Sequence, residues 1–397
     1  MSFMDCCDWT KCTQCGTCLN QCPVLKLDRK EGGEIILHMI EGGLPDSILN
    51  QCTLCMSCNS FCPEGLRPYE LILQRVSEQP ERQNSLPGLV PYFLMGTPGP
   101  VFFPDLYAMQ NQEEKAVLDK WGEFPEPSEE LLWIGCIGRL FCKDLENSKV
   151  LASLPKFSPA DLCCGELHYR TGQWDAFMEN TDRVFSVLSK VETQRLVCYC
   201  GSCCTFLGTI LPEVAGRKLP YEVISLYQWL LEKHQAGELE LKKPLGYAAA
   251  VHESCYATEL GGDFQQTLRD VYQAAGCQVV EMEHTGASAL TCGAASVARD
   301  FDLASVVKVQ AKRLKEVKDA GTRNMALNCP GCYLTLAPHS WVKRVRLKYM
   351  PEELLKAFGD DITAPISRLM PRVIYTLGKR APLAWKKADP KTMRIVS

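Results

Sequence analysis

The period of the apolar residues changes along this chain, and the changes divide it. In EIILHMIEGGLPDSILNQC, residues 34–52, apolar positions recur at steps of three and four, which predicts helix. Eight prolines between Pro80 and Pro127 then interrupt any long regular element and predict an extended linker packed on its neighbours. The apolar run LVPYFLMGTPGPVFF is cut by proline and glycine, and nowhere do 18 apolar residues follow one another, so the chain is not expected to span a membrane by itself. After residue 128, short apolar runs that end at turn residues alternate with long amphipathic segments. LLWIGC, a helix over residues 172–192 and RLVCYC are followed by YAAAVHESC, a charged helix over residues 297–319 and MALNCPGC. Strands alternating with helices predict α/β units.

The second series repeats the first. Between Cys164 and Cys200 lie 35 residues, and between Cys292 and Cys329 lie 36, an agreement that predicts duplication. The expected organisation is α/β with a mainly helical N-terminal domain over 1–80, a proline-rich linker over 81–128, a first cysteine-rich unit over 129–235, a second over 236–340, and a basic tail over 341–397. That tail carries 13 Lys plus Arg against five Asp plus Glu, which predicts a solvated face or a docking surface for an acidic partner or membrane.

A length of 397 residues allows two or three domains, and 43 Lys plus Arg against 47 Asp plus Glu gives no reason to expect nucleic acid as a partner. Cysteine departs from the ordinary: 23 residues, an odd number, many at C-x-x-C spacing, which in a chain of this size argues for metal ligation over a disulfide framework. The start, MSFMDCCDWT, has no basic region followed by an apolar run, so a reducing, cytoplasmic setting is expected, at the inner face of a membrane only through a partner.

CTQCGTCLNQCP and CTLCMSCNSFCP both read C-x-x-C-x-x-C-x-x-x-C-P, the bacterial two-cluster ferredoxin run, in which the fourth cysteine of each run serves the other cluster. Cys12, Cys15, Cys18 and Cys62 are expected to hold one 4Fe-4S cubane, and Cys52, Cys55, Cys58 and Cys22 the second. Zinc sites pair C-x-x-C knuckles and do not call for three thiolates plus a cross-ligand. Cys6 and Cys7 fit no ligand pattern, and His38 reads as a surface or packing residue.

The doubled Cys163-Cys164, with Gly165 behind it, allows a vicinal disulfide, an accidental pair of buried thiols, or metal binding. The last gains weight because Cys136, Cys200 and Cys203 bring the unit to five thiols, more than a cubane uses, and Gly165 permits close backbone approach with positive φ. These residues, with the degenerate copy at Cys255, Cys292, Cys329 and Cys332, resemble the cysteine-rich CCG domain pair of heterodisulfide reductase catalytic subunits and of the iron-sulfur subunits of glycolate, lactate and anaerobic glycerol-3-phosphate oxidations. A ferredoxin-like region followed by that pair is similar to the fused, D-type form of heterodisulfide reductase, over residues 8–335. The resemblance implies a noncubane 4Fe-4S cluster on Cys136, Cys163, Cys164, Cys200 and Cys203, with Cys163 and Cys164 at the reactive edge. Only 26 residues separate Cys136 from Cys163, whereas 35 separate Cys255 from Thr291, so Cys142 is an alternative to Cys136, and Cys198 or Cys204 to the later ligands. His252 matches a histidine the family often places there, and packs or supports the ligands, the alternative role being a proton donor.

Thr291 stands where the second doubled cysteine begins. The four remaining thiols suit a cubane, zinc or an empty site, and symmetric two-cluster disulfide cleavage is not expected. With no nucleotide-binding glycine fingerprint, flavin chemistry is assigned to another subunit. The expected function is an electron-transfer subunit of an oxidoreductase complex, active with a flavoprotein, a membrane quinone-reactive subunit or a thiol carrier. The alternative is a disulfide or polysulfide reductase that uses the single five-cysteine cluster. A binding protein with structural zinc is a third reading, which acid-labile sulfide would exclude.

Overall fold

The computed structural model describes residues 2–79, 88–95, 101–296, 303–388 and 395–396. Two four-stranded sheets organise it. In the first, β1 (Ser128–Trp133), β2 (Lys156–Phe157), β3 (Thr193–Cys198) and β4 (Glu222–Ser225) are all parallel, in the order β2-β1-β3-β4. In the second, β5 (Ala248–His252), β6 (Gln278–Val280), β7 (Asn324–Leu327) and β8 (Arg346–Tyr349) are likewise parallel, in the order β6-β5-β7-β8. Strand by strand the two orders are the same. The runs Leu131-Leu132-Trp133 and Met325-Ala326-Leu327 are wholly buried, as parallel strands covered by helices on both faces must be.

In each sheet the order reverses at one pair of strands, β1 beside β3 and β5 beside β7. Loops leaving neighbouring strands in opposite directions open a crevice at their carboxyl ends, where α/β sheets bind ligands. Cys136 follows β1, Cys200 and Cys203 follow β3, Cys255 follows β5, and Cys329 and Cys332 follow β7.

The N-terminal region is built of helices, chiefly Arg29–Ile40 and Pro68–Ser77, wedged against both sheet units. Arg67 ties the three together. Its guanidinium reaches Glu70 of its own region (Nε to Oε1, 3.0 Å), Glu213 of the first unit (Nη1 to Oε2, 2.7 Å) and Glu259 of the second. Tyr169 donates to the same Glu70. Glu70 and Glu259 are buried, and removing a buried charged partner of this kind costs about 3–5 kcal/mol.

Three features depart from the sequence pattern. The expected linker is not extended where it is described, because Leu89–Phe93, Phe102–Tyr107 and Gln112–Gly122 are helices. The last of these fits into the one long gap between prolines. Much of the proline-rich stretch, 80–87 and 96–100, lies outside the described residues, as do positions 297–302 at the start of the expected charged helix, which is described over Leu303–Asp319. The basic tail does not begin at residue 341. Arg346–Tyr349 is the fourth strand of the second sheet, paired with β7, and the helix Met350–Phe358 covers it. Finally, linker and tail pack on each other: Gly88 N–H donates to the Lys386 carbonyl at 2.8 Å, Arg380 pairs with Asp105 at 2.8 Å, and Val90 and Leu94 meet Ala388.

Candidate functional site

The two N-terminal cysteine runs share a backbone device. In C-x-x-C-x-x-C, Gln14 and Gly16 of the first run and Leu54 and Met56 of the second all have positive φ, between 52° and 69°. Left-handed backbone costs a non-glycine residue about 1–2 kcal/mol, so three such residues in two short loops are held there by the structure around them. The conformation turns backbone N–H groups toward the sulfurs. Leu54 N–H lies 3.5 Å from Cys52 Sγ, and Leu25 N–H lies 3.5 Å from Cys22 Sγ. At Gly16 a side chain would run into the Arg29 carbonyl.

The eight thiols fall into two groups across the runs. Burial, then the neighbouring charges of Cys62, Cys12 and Cys15, pushes the Cys18 thiol up to about 12. Burial, then Cys55, pushes Cys22 up to about 11, and burial with Cys52 and Cys55 raises Cys58 well above its ordinary value. Cys18 also acts on Cys58, so the groups adjoin. Sulfurs packed so closely cannot all ionise without a cationic partner, and thiolate ligands around iron fit this donor set and its N–H cradle. Cys6 and Cys7 stand apart, with Sγ atoms 3.7 Å from each other.

In the first sheet unit, Cys163 Sγ lies 3.8 Å from Cys136 Sγ. Hydrogen bonds from Cys136, then Cys164, and the backbone N–H of Gly165 hold the Cys163 thiol well below its ordinary value. Cys164 in turn contacts Cys203, and the Cys203 hydrogen bond brings Cys200 down to about 7 against the effect of burial. The five thiols thus form one chain of contacts. Gly165, at φ +85°, is required, because a Cβ there would come within 2.7 Å of Asn180 Nδ2, which donates to the Cys163 carbonyl at 2.8 Å. Gly135, at φ +69°, leaves room for Cys203 Sγ, 2.8 Å from where its Cβ would lie. The buried indole N–H of Trp133 faces that spot and has no partner among the described residues, a donor left for a sulfur group. Cys142 is elsewhere, taking a hydrogen bond from Gln110 Nε2 at 3.4 Å and facing the Glu114 carbonyl. Cys198 and Cys204 contact each other.

The second unit brings Cys255, Cys292, Cys329 and Cys332 together in a different setting. A Cys332 hydrogen bond holds Cys292 well below its ordinary value, assisted by His252, while burial pushes Cys255 up to about 12. His252 is fully buried, and its Nδ1 accepts from Arg313 Nε at 3.2 Å. Because arginine only donates, the neutral ring carries its proton on Nε2, the nitrogen left for Cys292. Thr291 Oγ1 and Asn328 Nδ2 are buried without partners among the described residues.

Arg170 joins these places, and sequence reasoning passed over it. Wholly buried, it donates to Cys255 Sγ (2.9 Å) and to the Leu54 carbonyl (3.1 Å) inside the second N-terminal run, touches Met56 Sδ (3.5 Å), pairs with Glu166 (2.7 Å) and lies 4.6 Å from the Tyr256 ring centre. Its helix, Glu166–Arg170, begins directly behind the doubled cysteine. One five-residue helix therefore spans the junction of all three sites. An arginine five positions past a glycine has no signature of its own; only its remote partners reveal it.

Comparison with known proteins agrees with the geometry. A 4Fe-4S dicluster domain matches residues 8–66, and a cysteine-rich domain, CCG, matches twice, over 131–208 and 249–337. The EtfAB:quinone oxidoreductase of Syntrophomonas wolfei is 23% identical over 318 residues, covering 72% of this chain and 42% of that protein. The D component of the dihydromethanophenazine:CoB–CoM heterodisulfide reductase of Methanosarcina barkeri is 21% identical over 302 residues, covering 72% and 71%. A probable membrane-anchored ferredoxin of Chromohalobacter salexigens is 23% identical over 299 residues, covering 71% and 43%. The chain thus spans less than half the length of two of these relatives. No helix among the described residues is long and apolar enough to cross a membrane.

Proposed function

We propose that the chain, which resembles the CCG-domain iron-sulfur proteins and the D-type form of heterodisulfide reductase, is the electron-relay subunit of a multi-subunit oxidoreductase. Cys12, Cys15, Cys18 and Cys62 hold one cubane, Cys52, Cys55, Cys58 and Cys22 the second, and Cys136, Cys163, Cys164, Cys200 and Cys203 a noncubane cluster in the first of two duplicated units. Cys255, Cys292, Cys329 and Cys332 hold a further cluster or zinc. One-electron transfer is the chemistry such clusters supply. The partner is a flavoprotein or a quinone-reactive subunit, which contributes the two-electron chemistry this chain has no motif for.

Arg170 is the observation that carries the reading. A guanidinium that touches one loop of the N-terminal sites and a thiol of the second unit, from a helix rooted at the doubled cysteine, brings the three sites together at one buried side chain. Residues of the chain hold the sulfurs, supply N–H donors and exclude water.

Iron and acid-labile sulfide are to be measured in anaerobically purified protein, with EPR at successive potentials. Four clusters give about sixteen irons, and an empty second unit about twelve. Fewer than about twelve, or zinc in the N-terminal runs, would overturn the proposal.

A further inference from the structure

The tail and linker make a surface whose composition differs from the rest of the molecule. Residues 366–388 contain six Lys plus Arg and no Asp or Glu, while the remaining chain carries 37 Lys plus Arg against 47 Asp plus Glu. Within this stretch the helix Leu369–Arg380 turns Leu369, Val373 and Thr376 toward the protein. Its outward stripe, at steps of three and four, is Pro371, Ile374, Tyr375 and Gly378. An ordinary surface helix is polar on that side.

Ile374 and Tyr375 are each 62% exposed, and Trp385, in the turn that follows, is 82% exposed. Met109, from the linker, joins them, with its Sδ 3.6 Å from Thr376 Oγ1. Four of the eight large exposed apolar side chains among the described residues thus belong to this one corner. Cations flank them. Arg368 and Lys379 lie exposed at either end of the helix, Arg372 is half-buried, and Lys386 and Lys387 follow Trp385. Of the six, Arg380 is neutralised by Asp105.

We propose that this corner seats the protein directly on an anionic phospholipid surface, with Ile374, Tyr375 and Trp385 entering the headgroup layer and Arg368, Arg372, Lys379, Lys386 and Lys387 facing lipid phosphates. The charge pattern favours this occupant. Exposed Trp and Tyr suit the headgroup level, where an amphipathic ring meets both environments, and five cations beyond the one that Asp105 neutralises, on a stretch that itself carries no Asp or Glu, suit a surface of one sign. A groove for an acidic protein needs no apolar stripe at its centre, and a second copy of the chain would set the same five cations against one another.

The test uses full-length, cluster-loaded protein and vesicles of phosphatidylcholine alone or mixed with phosphatidylglycerol, read by co-sedimentation and tryptophan fluorescence. Binding is expected only to the mixed vesicles, with a blue shift and with release at high salt. Replacing Arg372 and Lys379 with Ala is expected to weaken binding about thirtyfold, and the Ile374→Ser, Tyr375→Ser, Trp385→Ser variant to abolish it. Visible absorption confirms that each variant retains its clusters. No binding to anionic vesicles, or equal binding by the triple variant, overturns the proposal. A dimer in light scattering that the triple variant dissociates, without vesicle binding, overturns it in favour of self-association.

Discussion

The two sheet units have the same strand order but different sites at their switch points. In the first, five thiols meet around Gly165, and the polar group left free beside them is the Trp133 N–H. In the second, four thiols meet, the fifth place is Thr291, and two cations press on the site, Arg170 directly on Cys255 and Arg313 through His252. The loops differ as well. The first unit bridges β1 to β2 with short helical turns, whereas the second inserts the helix Gly262–Ala274 between Cys255 and β6. Helix length in a crossover thus changed without moving the cysteines that follow the strands, because the hydrogen-bonded sheet holds the strand ends in place. A thiolate lost in the second unit and a guanidinium gained both make that site less negative, so the pair differs in charge more than in shape.

That contrast breaks most visibly at the doubled cysteine. Cys164→Ser is expected to remove one cluster, about four irons, and its EPR signal, while both N-terminal signals persist. Simultaneous loss of every signal would falsify the separation into independent sites. Next in size, Thr291→Cys in the Cys164→Ser background should move a five-thiol signal into the second unit. EPR that shows no new species would mean the backbone there cannot seat the fifth sulfur. Arg170→Gln should lower the potential of the second-unit centre, since a cation beside the thiolate favours the reduced, more negative state and its charge is removed. Potentiometry showing no shift, with iron content intact, would leave Arg170 a packing residue. Smallest of all, Cys142→Ser should leave iron content unchanged and cost about 1 kcal/mol of stability, because Gln110 can donate to the new hydroxyl. Lost iron in that variant would return Cys142 to the ligand set.

Which thiols lie near one another was legible because cysteine spacing is local. C-x-x-C turns and strand-end positions need only a few neighbouring residues, and the near-equal Cys164–Cys200 and Cys292–Cys329 intervals mark the repeat. The α/β alternation was legible for the same reason. Less legible was the linker, where prolines predicted extension but the proline-free stretch over Gln112–Gly122 closed into a capped helix. Tail and fourth strand were confused because Arg346–Tyr349 is short and charged, with only pairing to β7 to mark it as a strand.

By itself the chain's order of residues determined which cysteines could share a site and the alternation of strands and helices in the two cysteine-rich units, since turn geometry and periodicity act over a few residues. Tertiary structure alone decided that Cys136 and not Cys142 meets Cys163, that Arg170 reaches partners 85 and 116 positions away, and that linker and tail form one surface. Contacts at such separations carry no local signature; they arise when helices and sheets bury their apolar faces together, and that packing fixes which polar groups are left facing one another.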